Sequence, residues 1–175
     1  VVGTSNVEVF NFNIKAGSAY NVKVTQLKFT DLTGNADKTV ISEFKLYRGA
    51  DLVKTVSANE ISAASITFTD LNQVINADAT AVYKLTASLV KDSAQNGKTL
   101  NFRMSEYSAE ETDKGTAIYD ATNDNVLTNG ILAVGEVGYD GMTSPRTVTV
   151  KGYGSLTVNV DNLANETKYD TWQLA

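Results

Sequence analysis

Two stretches of the chain are dense in oxygen-bearing side chains. Asp31, Asn35 and Asp37 share the segment DLTGNAD, and Asp120, Asn123, Asp124 and Asn125 share DATNDNVLTNG. A hard cation such as calcium takes roughly six to eight oxygens from carboxylates, amide oxygens and backbone carbonyls, which loops of this kind supply. Neither stretch has the EF-hand spacing. Asp and Asn also fill turns simply by hydrogen-bonding their own backbone. Calcium is therefore the one candidate cofactor, with Asp31, Asn35 and Asp37 as one ligand set and Asp120, Asn123 and Asp124 as the other. An ordinary turn is the alternative for each.

Glu106, Glu110, Glu111 and Asp113 are the densest acidic group. Glycoside hydrolysis needs only two carboxylates, but these must converge from separate elements on a cleft that perturbs them. Glutamates adjacent in a polar run read instead as a solvated loop. The chain has no histidine and no cysteine. The commonest general base, the commonest zinc ligands and every thiol nucleophile are thus excluded, and the expectation is that the protein is not an enzyme. Tyr119, Tyr139, Tyr153 and Trp172, with Tyr169 nearby, could stack on the apolar faces of sugars, or could cap a sheet edge or fill an interface. Asn165-Glu-Thr167 is a glycosylation sequon. A lysine–asparagine isopeptide bond would staple a cysteine-free domain, although no residue trio stands out for it.

Net charge is −5, and the fifteen basic residues are scattered. A nucleic-acid partner would require a basic stripe, and an anionic membrane surface would repel the chain, so neither partner is expected. No run approaches the ~18 apolar residues of a membrane-spanning helix. The sequence opens on Val1 without an initiator methionine, as expected of a mature or excised piece of something longer. Twenty-one threonines and sixteen asparagines suit pleated surfaces and turns, a mixture common in secreted prokaryotic β-proteins.

The elements that must position these residues are strands, because apolar residues recur with period two almost throughout. In Val7–Ile14 the apolar phase changes between Val9 and Phe10. In the next run Val22 and Val24 hold one phase, Leu27 and Phe29 the other. Such a change marks a β-bulge or a strand passing from one sheet to another; two in succession suit a sandwich whose first strands cross between sheets. Strands follow at Val40–Tyr47 and Leu52–Val56, joined by a hairpin turn at Arg48-Gly49-Ala50-Asp51. Further strands lie around Ile66 and Phe68, at Tyr83–Leu89, and at Leu100–Met104, with Asn96-Gly97 a strong turn signal between the last two. Phe12, Leu27, Phe29, Phe44, Leu46, Phe68, Leu85 and Phe102 are the expected core. The pattern loosens after Ser108 and returns at Thr147–Val150 and Leu156–Val160, which read as a closing hairpin. Architecture is expected to be all-β, a sandwich with a long irregular excursion and a C-terminal hairpin.

Five stretches carry a resemblance. Phe10–Ala16 leads into Val22–Phe29, then Ile41–Tyr47 with its Gly49 turn, then Ile66–Asp70 and Ile75–Ala87. In this order they resemble the immunoglobulin-like repeats of large bacterial surface proteins, surface-layer and adhesin-like chains. Asp78 stands where such units often carry glycine. The resemblance spans roughly residues 3 to 105 and its motifs are structural positions. It implies an immunoglobulin-like antiparallel sandwich over 1–107; the loosened pattern and its return read as an inserted excursion or small subdomain over 108–145 and a closing hairpin and terminal strand over 146–175.

The resemblance also implies an extracellular or cell-surface role. The expected function is a structural, self-assembling building block of a surface layer, filament or adhesin stalk, with copies of itself or neighbouring repeats as partners. The alternative is a carbohydrate- or surface-binding module with polysaccharide as partner. Both ends of the chain are apolar. Val1–Phe10 and Tyr169–Ala175 could each pair within their own sandwich or add to a neighbour's sheet edge.

Overall fold

The computed structural model describes residues 1–16, 20–111, 130–131 and 147–152. The strands are β1 (Val7–Lys15), β2 (Val22–Asp31), β3 (Ile41–Arg48), β4 (Asp51–Ser57), β5 (Ser65–Phe68), β6 (Gln73–Ile75), β7 (Thr80–Leu89), β8 (Thr99–Glu111), β9 (Gly130–Ile131) and β10 (Thr147–Thr149). Among the described residues the helical elements are two short 3₁₀ turns, Ala58–Glu60 and Ser93–Gln95. No helix among them is long and apolar enough to cross a membrane.

The strands form two antiparallel sheets. One has the order β1-β7-β3-β4. The other runs β10-β8-β2-β5, with β6 also pairing β2 and β9 pairing β8. Period-two alternation turns one face of each sheet inward, and the inward rings meet. Phe12 of β1 packs on Phe29 of β2 at 5.5 Å between centroids, and Phe44 of β3 meets Phe102 of β8 edge to face at 5.4 Å. All eight expected core residues are buried.

Both phase changes in the sequence are bulges. Pairing of β1 with β7 shifts register between Glu8 and Phe10, so Val9 and Phe10 are both buried. Pairing of β2 with β8 shifts between Val24 and Gln26. Neither strand leaves its sheet, so the expected crossing within these strands does not occur. The second bulge instead marks where the other neighbour of β2 changes, from β6 at Val22–Val24 to β5 at Leu27–Thr30.

The chain changes sheet in its connections. Among the described strands β3 and β4 form the expected hairpin, with Gly49 at φ 59 in its turn. The Asn96-Gly97 turn, by contrast, does not pair its flanking strands. It carries the chain from β7 in one sheet to β8 in the other. The three-residue β6 falls below what alternation can reveal. Strand β8 continues through Glu111 into the stretch that reads as loop. The expected Leu156–Val160 partner of the closing hairpin lies outside the described residues; β10 pairs with Thr99–Asn101 of β8. Asp78 takes φ 61, the left-handed conformation that glycine adopts most easily.

Candidate functional site

Asp31 ends β2 and is almost fully buried at 3% exposure. Its carboxylate accepts the N–H groups of Asn35 (2.8 Å), Ala36 (2.9 Å) and Asn101 (2.7 Å), a longer bond from Thr33 N–H, and the Thr33 hydroxyl at 2.7 Å. These are charge-assisted bonds. Asn35 turns its side-chain amide to the Thr99 carbonyl at 2.9 Å, and the Thr33 hydroxyl oxygen lies 2.6 Å from the same carbonyl, so its single proton serves either that oxygen or Asp31. The loop thus fastens itself around one carboxylate and grips the start of β8. Asp37 lies further along and accepts from Thr39 N–H at 2.7 Å and from the Thr39 hydroxyl. That hydroxyl bond above all holds its carboxyl below the ordinary range.

Asp31, Asn35 and Asp37 therefore share one loop, but the Asp31 oxygens face N–H and O–H donors. Among the described residues no group of three or more His, Cys, Asp or Glu side chains is placed to hold a metal ion. A signal in the sequence marks Asp31 as different from a turn aspartate. It continues the inward phase of Leu27 and Phe29, and an inward carboxylate must find donors. Asp120, Asn123, Asp124, Tyr119, Tyr139, Tyr153 and Trp172 lie outside the described residues.

The acidic group is a strand feature rather than a loop. Glu106 pairs with Lys28 at 2.5 Å, and Glu110 pairs with Lys23, each across the β2–β8 ladder. Ala109 between them is buried. Oppositely charged cross-strand neighbours of this kind support register. Asp113 lies outside the described residues. No lysine among the described residues is buried, so none sits in the core, where an isopeptide bond would form.

The sheet borders differ from one another. At β4 the pairing with β3 shifts register between Leu46 and Tyr47, so Val53 is an extra residue. Lys54, opposite the buried Leu46, reaches over the other sheet to the Thr69 carbonyl at 2.5 Å. A bulge and an inward-pointing lysine are two devices that keep a border strand from adding another strand. On the other sheet β5 and β6 are short, and Asp70 at φ 52 separates them. Strand β1 is the second border of the first sheet among the described residues. After its bulge it pairs with β7 in unbroken register from Phe10↔Leu85 to Lys15↔Thr80.

The first of the two apolar termini is held within its own chain. Val2 is buried and donates to the Lys151 carbonyl at 2.7 Å, Gly3 donates to Val90, and Leu89 donates to the Thr4 carbonyl. The segment Tyr169–Ala175 lies outside the described residues. Compared with known proteins, the chain matches no family model, no curated protein and no solved structure.

Proposed function

We propose that this chain is a non-catalytic structural building block of an extracellular assembly, a surface layer, filament or adhesin stalk, in which copies join through the border strand β1. The observation that carries the reading is the contrast between borders. Strand β4 is bulged and carries an inward lysine, and β5 and β6 are short, whereas Phe10–Lys15 of β1 runs in regular register. A border strand in unbroken register offers a continuous backbone to which another chain's strand can add.

The sandwich is read as an immunoglobulin-like variant. In that fold the second strand borders the fifth, and the third borders the penultimate one. Counted over β1–β8, β2 here borders β5 and β3 borders the penultimate β7. The variant lies in the outer strands, since β1 borders β7 and β8 borders β2, as though the first and last strands had exchanged sheets. The surface setting rests on the resemblance of Phe10–Ala16, Ile41–Tyr47 and Ile75–Ala87 to repeats of bacterial surface proteins.

The test is assembly of the purified chain, followed by light scattering and electron microscopy, with Asn13→Lys as the probe. Asn13 is exposed on β1, and a lysine there places a charge on the border. Loss of assembly at an unchanged melting temperature supports joining through β1. A wild-type chain that stays monomeric at high concentration, or a variant that assembles as well as wild type, refutes it.

A further inference from the structure

The turn between β7 and β8 holds more than the chain reversal. Gly97 N–H donates to the Val150 carbonyl at 2.9 Å, and Val150 N–H donates back to Lys98 at 2.8 Å. The Asn96 side-chain oxygen accepts Gly152 N–H at 2.9 Å. Val2 N–H binds the Lys151 carbonyl from the other side. Residues 150–152 are thus clamped between the Asn96-Gly97 turn and the N-terminus. The two residues of the turn are themselves exposed, and the space where a Gly97 side chain would stand is open.

Asparagine followed by glycine is also a reactive pair. The unhindered glycine nitrogen can attack the asparagine side-chain carbonyl carbon and close a five-membered ring. We propose that Asn96-Gly97 is a self-modifying site gated by the 150–152 clamp, and that its conversion releases that clamp irreversibly.

The chemistry needs only water. Gly97 N loses its proton to solvent base and bonds to Asn96 Cγ. The bond from Cγ to the side-chain nitrogen breaks, and ammonia leaves. Water then adds to one of the two imide carbonyls and cleaves its bond to nitrogen. The products are aspartate, or isoaspartate with the main chain rerouted through the side chain.

Neither reacting group is available while the clamp is shut. Gly97 N–H is engaged by Val150, and the Asn96 amide is engaged by Gly152. Asn96 ψ is held at 132°, and ring closure requires rotation about that bond. Conversion is therefore confined to a local opening, whose free energy sets the rate. Isoaspartate lengthens the main chain at the turn and adds a negative charge. Gly97 N–H and the residue 96 side chain then no longer match Val150 and Gly152.

The test is peptide mapping of the full chain aged in mildly alkaline buffer, with isoaspartate scored by enzymatic methylation. The folded chain should convert at Asn96 at least about tenfold more slowly than the same chain in urea. Gly152→Ala provides the second arm. A methyl group there would stand 3.2 Å from Asn96 Cβ, tighter than side chains normally pack, so the Asn96 side chain must shift to make room and its bond to Gly152 is strained. The variant should convert severalfold faster than wild type when folded and at the same rate in urea. Equal rates for folded and unfolded wild type overturn the gate. So does a folded Gly152→Ala chain, with its melting curve intact, that converts no faster than wild type.

Discussion

The carboxylate of Asp31 accepts the main-chain N–H of Asn101 at 2.7 Å, joining the end of β2 to the start of β8 across 70 positions of sequence. The same side chain gathers Asn35 and Ala36, so loop closure and strand docking depend on one buried group. Asp31→Ala strips several donors of their acceptor at once. Each bond to a charged group is worth about 1.5–3 kcal/mol net, and the losses are not additive, so the expected cost is ~3 kcal/mol or more. Denaturant melts measure it. The cost should be the same in calcium and in chelator, because N–H groups surround the carboxylate. A cost that appears only with calcium present would restore a cation to this loop.

Phe44 and Phe102 come from different sheets and meet at an interplanar angle of 80°. Both are fully buried. Phe102→Ala should cost about 3–5 kcal/mol, as buried phenylalanine truncations do. A loss below ~1 kcal/mol would mean that the two inner faces are not packed there.

What was legible in the sequence follows from the range over which each signal acts. The switch from Val9 to Phe10 shows as a bulge because side-chain direction alternates residue by residue, and one extra residue reverses the phase. The destination of a turn has no such local marker. Asn96-Gly97 has hairpin chemistry, yet the Asn96 N–H turns back to Ser93 and the Gly97 N–H goes to Val150 rather than to a paired neighbouring strand, and Val150 lies far along the chain. Glu106 and Glu110 look like loop residues because their neutralising partners, Lys28 and Lys23, are equally remote. The role of Asp31 was readable from its phase, but its residue type points as readily to a cation as to N–H donors.

Ala63 and Ala64 are both left-handed, at φ 47 and 56, in a two-residue turn closed by reciprocal Ser62–Ser65 hydrogen bonds. Such turns are normally filled by Asn-Gly, and each non-glycine residue there costs roughly 1–2 kcal/mol. Replacing Ala63 by Asn and Ala64 by Gly together should raise stability by about 1 kcal/mol, after the added freedom of glycine in the unfolded chain is subtracted. Thermal melting of the double variant checks this. A lower melting temperature would show that these two alanines make contacts worth more than the strain.

The pH dependence of stability should have two limbs with a plateau between them. Asp37, Glu43 and Asp92 are all held below their ordinary ranges. The Thr39 hydroxyl does this for Asp37, the Lys45 ammonium for Glu43, and the Ala94 N–H for Asp92. A carboxyl lowered in the folded state stabilises it above the unfolded value and loses that contribution as pH falls through the folded one. The unfolded values are near 3.8 for Asp and 4.5 for Glu, so the acid limb begins below about pH 4.5. With no histidine in the chain, no side chain of ordinary pKa titrates between about pH 5.5 and 8, and the melting temperature should be flat there.

Two groups contribute to the alkaline limb, Lys45, whose ammonium is held protonated by its bond to the Glu43 carboxylate, and Tyr83. Burial raises the Tyr83 pKa above the ordinary 10.0, and its hydroxyl has no hydrogen-bond partner among the described residues. A raised group contributes stability below the unfolded pKa and loses it as pH climbs toward the folded one, so the decline starts near pH 10. Tyr83→Phe tests both statements at once. It keeps the ring stacked on Phe12, whose centroid lies 5.4 Å away, and removes an unpaired buried hydroxyl. The variant should be as stable as wild type or more so by about 1 kcal/mol at neutral pH, with a smaller decline above pH 10. Melting curves at neutral and alkaline pH decide it. A variant clearly less stable at neutral pH would show that the Tyr83 hydroxyl has a partner, and an unchanged alkaline decline would assign that limb to other groups.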